Sequence, residues 1–569
     1  MEIFGVFPGQ GKGYKWVSFL TLLVLTICLT SGSPVGAWAQ DPQQQTQTPP
    51  PATQGDIALI PVDLVSPIEQ AEKDGTALHL SLRDLTKLAL ESNLDIAIAD
   101  TNEEVNRQRV IAARASYDPT LSASFGWSTR KSLNRVSYDA SQERVNSSLT
   151  HSWDTTLIKK VPTGGSFTLA FGGGRQDTNS ASALANPSYN SSYSLRFSQP
   201  LLRDFRIDST RNNIKLVNLD MQLTDSQFMS QVTSTIARVQ QAYWDLISVI
   251  RSYDISRQNV ELARITVANN QKKVEIGTSA PIDVVSSKAT QASREVDLIS
   301  AAESILSAQN NLKQMISKDR NAEIWNKMIV PTDSPEFVDY KIELNTAIET
   351  ALKNRPEIEQ SDVALTKNDL NYQLQQNQRK WGLSLIANMS GSSLGVPEGN
   401  PSYQPKLWGG VGTSYLYLFN TVPPSWGVSV NLDIPLSHRA VDTQLAQTRI
   451  AKQQELMRRS KTEQGIVVEI RNAVQALNTA KQRLQTAAIS RQLAEAQLDA
   501  ENKRFAAGLS QNYLVLQRQG ELASSQLSEL RAKITYRKAI ITLQQSMYTL
   551  LDSNDVSIAK GSGKVVPFK

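Results

Sequence analysis

The sequence predicts a mainly α chain with membrane β-structure. Long coiled-coil helical hairpins form an α-barrel continuous with a membrane β-barrel, and the plan is internally duplicated. Three observations predict it. In YSLRFSQPLLRDF (Tyr193 to Phe205), apolar and polar residues alternate up to Gln199, the period of a strand; beyond Pro200 a helical run without Pro or Gly extends from about Ile207 to Gly277. Within that run apolar residues recur every seven positions. The same order of elements then returns in the second half of the chain.

Taken from the start, residues 1–39 read as a secretory signal. Lys12 and Lys15 precede the apolar stretch Trp16 to Leu29, and Ala37 and Ala39 form an A-x-A pattern, so cleavage is expected after Ala39. The apolar core, about 14 residues, is too short to span a bilayer. The only cysteine, Cys28, lies in the signal and follows the bulky Ile27, which argues against a lipid anchor and leaves the mature chain without thiol chemistry. A formal charge of +5 with 20% charged residues gives no reason to invoke nucleic acid. After the signal no apolar run approaches 18 residues, which excludes helical spans but not a β-barrel.

Residues 40–79 are rich in Gln and Pro and read as a flexible, extended lead-in. A first structural repeat is expected over 80–320. It opens with a helical pattern from Leu80 to Pro119, followed by barrel strands over about 119–202. In TLSASFGWS (Thr120 to Ser128), Leu121, Ala123, Phe125 and Trp127 share one side. Further strand-like pieces flank a Pro-Thr-Gly-Gly turn at Pro162 to Gly165, longer than a simple strand pair needs; whether this hairpin joins the barrel is left open. The long helical hairpin comes next, with its tip at 277–281. Residues 321–342 read as a linker. A second repeat, 343–555, opens on AIETALKNRPEIEQSD, places strands over about 383–436 (LSLIANMSG and WGVSVNLDIPLSHR), and has its hairpin tip at 508–512. Residues 556–569 are a tail.

Heptads explain the helices. Val232, Val239, Leu246, Tyr253, Val260 and Val267 form a bulky row, with Thr235, Ala242, Val249, Ser256 and Ala263 as a smaller one and Ile236, Tyr243 and Ile250 as a third. Ile470, Leu477 and Leu484 beside Ala473, Ala480, Ala487 and Ala494 repeat the idea. Strict seven-residue repeats impose coiled-coil packing, and the third row gives each helix more than one neighbour. About 70 residues make a helix roughly 100 Å long, more than a compact core needs. A tube or a solid rod satisfies the heptads equally. Alternating strands joined to the helices through Pro-Leu corners favour the tube, because strands of a secreted, cysteine-free chain suit an outer-membrane barrel. Trp127, Tyr193, Phe197 and Trp426 fit its aromatic belts. Two strand pairs in one chain cannot close a useful pore; several copies can.

With these features the chain resembles the TolC-like outer membrane efflux protein (outer membrane factor) family. The resemblance rests on the duplicated plan, on FSQPLLRD and LDIPLSHR at the strand-to-helix corners (Pro200, Leu201, Pro435, Leu436), and on the turns EIGTSAP and FAAGLSQN. It implies a homotrimer with four strands per chain in a twelve-strand barrel and a periplasmic helical tunnel. It also implies an outer-membrane channel for small molecules or secreted proteins in tripartite efflux or type I secretion. The partners implied are a periplasmic adaptor (membrane fusion) protein, an inner-membrane pump or ABC transporter, and outer-membrane lipid. Adaptor docking is carried onto Gly277, Thr278, Ser279, Gly508, Leu509 and Ser510. Where family members often place aperture carboxylates after the second tip glycine, this chain has Leu514 and Gln517. An acidic ring would therefore rest on Asp283, equally readable as a first-turn helix charge, with an apolar constriction at Leu514 as the other option.

Enzyme chemistry is not expected, and no cofactor or metal is implied. His79, His151 and His438 fall in separate segments, and GSGK near Gly561 lacks the spacing of a phosphate loop. The alternative class is a trimeric coiled-coil surface or adhesive protein with a membrane-anchoring barrel. Strands embedded between helices in both halves favour the channel. A soluble periplasmic coiled-coil adaptor would lack lipid-facing strands.

Overall fold

A computed structural model of the chain describes residues 65–133, 145–180, 182–554, 556–558 and 565–567. The expected signal (1–39) and most of the expected lead-in (40–79) lie outside the described residues.

The end of the lead-in is ordered, which corrects the expectation of an extended segment up to residue 79. Helix α1 (Pro67–Lys73) starts at Ser66, whose hydroxyl accepts from the Glu69 amide while the Glu69 carboxylate accepts from the Ser66 amide. This reciprocal cap, with Pro67 in the first turn and helix-forming Glu, Gln, Ala and Lys behind it, holds a short helix. Strand β1 (Ala77–Leu80) then pairs in parallel with a strand in the middle of the chain.

The first helical stretch divides at Asn93. Helix α2 (Leu82–Ser92) is capped by Ser81 and Asp84. Helix α3 (Leu94–Arg114) is capped by the Asn93 side chain, which accepts from the amides of Asp95 and Ile96. Four strands come after it: β2 (Thr120–Leu133), β3 (Val145–Lys160), β4 (Ser166–Thr178) and β5 (Ser188–Pro200). The hairpin pair is α4 (Ser209–Glu275) and α5 (Pro281–Ile316).

The expected linker at 321–342 is also partly ordered. Its strand β6 (Met328–Pro331) is the partner of β1, in register from Ala77 opposite Met328 to Leu80 opposite Pro331. Two buried tyrosines hold the segment between β6 and the second repeat. The hydroxyl of Tyr243 on α4 donates to the Asp333 carboxylate at 2.6 Å. The Tyr536 hydroxyl donates to the Val338 carbonyl at 2.8 Å.

The second half repeats the order with α6 (Leu344–Asn354), α7 (Pro356–Gln378) and β7 (Gly382–Gly395). Helix α8 (Val411–Asn420) comes next, then β8 (Ser425–Asp433) and the hairpin α9 (Arg439–Ala506) and α10 (Asn512–Ser546). Helix α11 (Leu550–Ser553) and the short antiparallel pair β9 (Val556–Ile558) and β10 (Val565–Pro567) close the described chain. Helix α8 falls inside the stretch read as barrel strands, a second correction.

The bulky heptad rows are buried as expected, while Ala242, Val249, Ile250, Ser256, Ala487 and Ala494 of the other rows are half-buried. Val232, Val239, Leu246, Tyr253 and Val260 are all at most 2% exposed, and Ile470, Leu477 and Leu484 are buried in the second half. The first cluster joins α2, α4, α5, α10 and α11; the second joins α6, α9 and α10. Helix α4 touches α3, α5, α7 and α10, and α9 touches α6, α7 and α10, so neither long helix packs only on its hairpin mate. Knobs from a bulky row beside a row of small residues allow this close approach on two sides.

Candidate functional site

Two parts of the molecule carry the chemistry: a two-faced sheet and a pair of glycine tips.

The sheet has six strands in the order β2-β3-β4-β5-β7-β8, all neighbours antiparallel. The sheet thus holds six strands, against the four barrel strands per chain that the resemblance implies. The reason is visible in the added hairpin β3–β4, which alternates as strictly as the others and turns tightly at Pro162–Gly165. There the Val161 amide donates to the Gly165 carbonyl at 2.9 Å.

Register assigns each residue to a face, because directly opposed residues point the same way. One face holds Phe125 and Trp127 of β2, Trp153 and Leu157 of β3, and Leu169 and Phe171 of β4. It continues with Tyr193, Leu195 and Phe197 of β5, Leu385 and Met389 of β7, and Trp426, Val428 and Val430 of β8. The other face holds Ser122, Ser124 and Ser128, then Ser152, Asp154 and Thr156, then Thr168 and Ala170. Beyond them come Ser192, Ser194 and Arg196, then Asn388 and Ser390, then Ser429, Asn431 and Asp433. Trp127 and Trp426, at opposite edges, are each 78% exposed. An apolar face this continuous suits hydrocarbon, and the Ser-rich face suits water.

Helix α8 lies on the apolar face. Its Ser414 hydroxyl is 2.6 Å from that of Ser191, and its Tyr415 hydroxyl donates to the Gly172 carbonyl at 2.9 Å while accepting from the Trp153 indole at 3.1 Å. Phe419 stacks on Tyr193, centroids 5.7 Å apart. Glycine makes the seat: a Cβ at Gly391 would come within 2.8 Å of the Tyr193 ring and 3.2 Å of Leu418. The outer side of α8 exposes Leu416 and Phe419. No helix among the described residues is long and apolar enough to cross a membrane.

The Pro-Leu corners join sheet to helices. Pro200 ends β5 opposite Ser384, and the Leu201 amide donates to the Leu383 carbonyl at 2.7 Å. Asp204, at φ 66°, is held by the Asn377 and Gln378 side chains, and Arg211 donates to the Asp204 and Phe205 carbonyls. The second corner differs: Pro435 is half-buried and Leu436 is fully exposed. With Leu202, Phe205, Trp381 and Ile434, these corners expose apolar side chains at the base of the sheet.

At the far end of the hairpins the two tips share one geometry. Gly277 has φ 76° and Gly508 φ 72°, the left-handed conformation that terminates a helix. The Gly277 amide donates to the Val274 carbonyl and Thr278 to Lys273. In the second tip Gly508 donates to Phe505 and Leu509 to Arg504. Ser279 donates to the Asp283 carboxylate at 2.7 Å, and Ser510 donates to Glu501. The two tips are tied together. Lys273 Nζ sits 3.5 Å over the Phe505 ring, and buried Asn270 donates to Asn512 and to Ser287. Beside the glycines, Ile276 is 73% and Leu509 80% exposed.

Of the aperture candidates, Asp283 accepts from both the Ser279 hydroxyl and the Ala280 amide, so its carboxylate caps α5. Gln517 donates to Glu521 at 3.0 Å. Leu514 is exposed on the first turn of α10. Sequence reasoning missed the tie between the tips, although Asn270 interrupts the small row just before Gly277, and it missed Ile276 and Tyr513 as exposed apolar residues there. It also missed α8, whose Ser414–Leu418 spacing was the available signal.

No cluster of His, Cys, Asp and Glu suited to a metal is present among the described residues.

Comparison with known proteins agrees with this geometry. The model of a family described as outer membrane efflux protein matches residues 165–318 and 347–547. Among solved structures, the CmeC outer membrane channel of Campylobacter jejuni is similar, with TM-score 0.58 at 16% identity, over 82% of this chain and 86% of that one. The outer membrane protein VceC of Vibrio cholerae gives 0.57 at 15%, over 82% and 95%. The MtrE outer membrane channel of Neisseria gonorrhoeae gives 0.54 at 16%, over 82% and 89%. At such identities these likenesses speak for the fold. No curated protein sequence matches.

Proposed function

The chain belongs to the outer membrane efflux protein family, and from that premise we propose that it is the outer-membrane conduit of a tripartite efflux or type I secretion assembly. It is an outer-membrane protein whose helical part lies in the periplasm. In the proposed assembly three copies close the barrel with their sheets, and their long hairpins line a tunnel below. The observation that carries this reading is the sheet: apolar on one face, polar on the other, with the outer edges of β2 and β8 unpaired among the described residues. An open edge cannot persist in lipid, so further copies must cover it.

A periplasmic adaptor is the proposed partner of the tips at Gly277, Thr278, Ser279, Gly508, Leu509 and Ser510. The exposed Ile276 and Leu509 beside the two tip glycines support this, since small turns flanked by uncovered apolar side chains suit a docking surface. An inner-membrane pump or ABC transporter would deliver the cargo, a small molecule or a secreted protein. At the aperture, either Asp283 would supply negative charge or Leu514 an apolar constriction. Removal of a signal after Ala39 belongs to the same proposal, and sequencing the mature N-terminus tests it.

The deciding experiment is single-channel recording of the purified full chain in planar bilayers. Stepwise ion conductance supports a channel; a lipid-inserted trimer that never conducts would favour the adhesive-fibre alternative.

A further inference from the structure

We infer that the barrel is built from eighteen strands, six from each of three copies, with β2 of one copy pairing to β8 of the next. This rests on the trimeric channel reading and concerns the shape of its outer mouth.

The first support is the continuity of the sheet. Hairpin β3–β4 has neighbours on both sides: β2 pairs β3 from Thr120–Ile158 to Leu133–Val145, and β4 pairs β5 from Ser166–Ser198 to Gln176–Ser188. The edge of β5 that β2 would need in a four-strand arrangement is occupied by β4 along its length.

The second is the division of faces. The added hairpin puts Trp153, Leu157, Leu169 and Phe171 on the apolar side and Ser152, Asp154, Thr156 and Thr168 on the polar side. A hairpin folded into the lumen or standing above the membrane would have no need of that division.

The third is α8, which bridges the added hairpin to the rest of the wall. Its Tyr415 bonds to β3 through Trp153 and to β4 through Gly172, while Ser414 reaches Ser191 on β5 and Leu418 lies over Gly391 on β7. A helix from the second half of the chain thus bolts the hairpin of the first half in place from the lipid side.

Strand direction permits closure. β2 leaves the helical side and β8 returns to it, so edges of neighbouring copies meet antiparallel, as an even number of strands per copy requires. With strands about 4.8 Å apart and tilted by about 40°, eighteen strands give a wall roughly 36 Å across, against roughly 24 Å for twelve. The mouth then exceeds any small-molecule cargo, and selection by size falls to the helical end.

The test is electron cryo-microscopy of the full chain in lipid nanodiscs, combined with paired cysteines in intact outer membranes. The pairs are Ser122→Cys with Thr156→Cys, joining β2 to β3, and Ala170→Cys with Ser194→Cys, joining β4 to β5. Eighteen strands in the map, with both pairs oxidising to faster-migrating unreduced chains, is the expected result. A conducting trimer with twelve strands, or one in which neither pair oxidises, overturns the inference and leaves the channel reading intact. A chain that neither trimerises nor conducts overturns the channel reading and this inference with it.

Discussion

The two halves of the chain agree in their helices and differ in their strands. The long helices are 67 and 68 residues, the returning ones 36 and 35, and both hairpins turn through the same pair of backbone hydrogen bonds at a left-handed glycine. Above them, the first half supplies four strands and the second supplies two with a helix between. Packing explains the contrast. Helices side by side along a shared heptad must keep register over their whole length, so an inserted residue displaces every knob below it. A sheet grows sideways, and a hairpin added between strands leaves each neighbour's alternation untouched.

Substitutions at matched positions sharpen or break this comparison. The largest effect is expected in the bulky row. Leu246 and Leu477 lie at the same distance from their tip glycines and are both buried. Leu246→Ala and Leu477→Ala should each cost about 2–5 kcal/mol, read as lowered unfolding midpoints of the detergent-solubilised protein. If one is silent, the halves do not share the load. Next come the tyrosines that hold the inter-repeat segment. Burial and the hydrogen bond to Asp333 push the Tyr243 phenol well above its ordinary pKa, so the hydroxyl stays a donor throughout the accessible range. Tyr243→Phe leaves the Asp333 carboxylate with the Leu82 amide as its donor, Tyr536→Phe removes the donor to the Val338 carbonyl, and each should cost about 1–3 kcal/mol by the same measurement.

At the tips, Gly277→Ala and Gly508→Ala force a side chain into the left-handed region, with open space around it. About 1–2 kcal/mol of local strain is expected at each, read as faster hydrogen exchange of the last helical turn. Asp283 has no acidic counterpart in the second tip, where Leu514 stands. Asp283→Asn should lower cation preference in single-channel recordings, and an unchanged preference would confine Asp283 to capping α5. The smallest effect belongs to Glu69, which only the first half has. Its hydrogen bond with Arg257, more than the backbone bond at Ser66, holds its carboxyl below the usual carboxylate range. Such a group stabilises the fold above its ordinary pKa and loses that contribution as pH falls through the lowered folded value. Wild type should melt slightly above Glu69→Gln at pH 7, with the gap closing in acid.

Much of this was legible in sequence because periodicity is a direct image of burial. The heptads of α4 and α9 and the alternation of β2, β5 and β8 name their buried or apolar faces without reference to any partner. The tip glycines were legible because a left-handed turn demands them. Other features depend on residues far apart in the chain. Nothing in VGTSYLYLFN says that Tyr415 meets Gly172 and Trp153. Nothing near Ala77 announces a strand whose partner begins at Met328. For Asp283, one residue type serves both an aperture and a helix cap, and sequence cannot separate the two.

That parallel pairing of β1 with β6 has a consequence for biogenesis. Strand β1 cannot be completed until residues at the midpoint of the polypeptide are present. Until then its unpaired backbone is open to wrong partners, and pairing at such sequence separation is intrinsically slow. The two halves, alike as they are, are therefore coupled in folding through a single long-range strand pair.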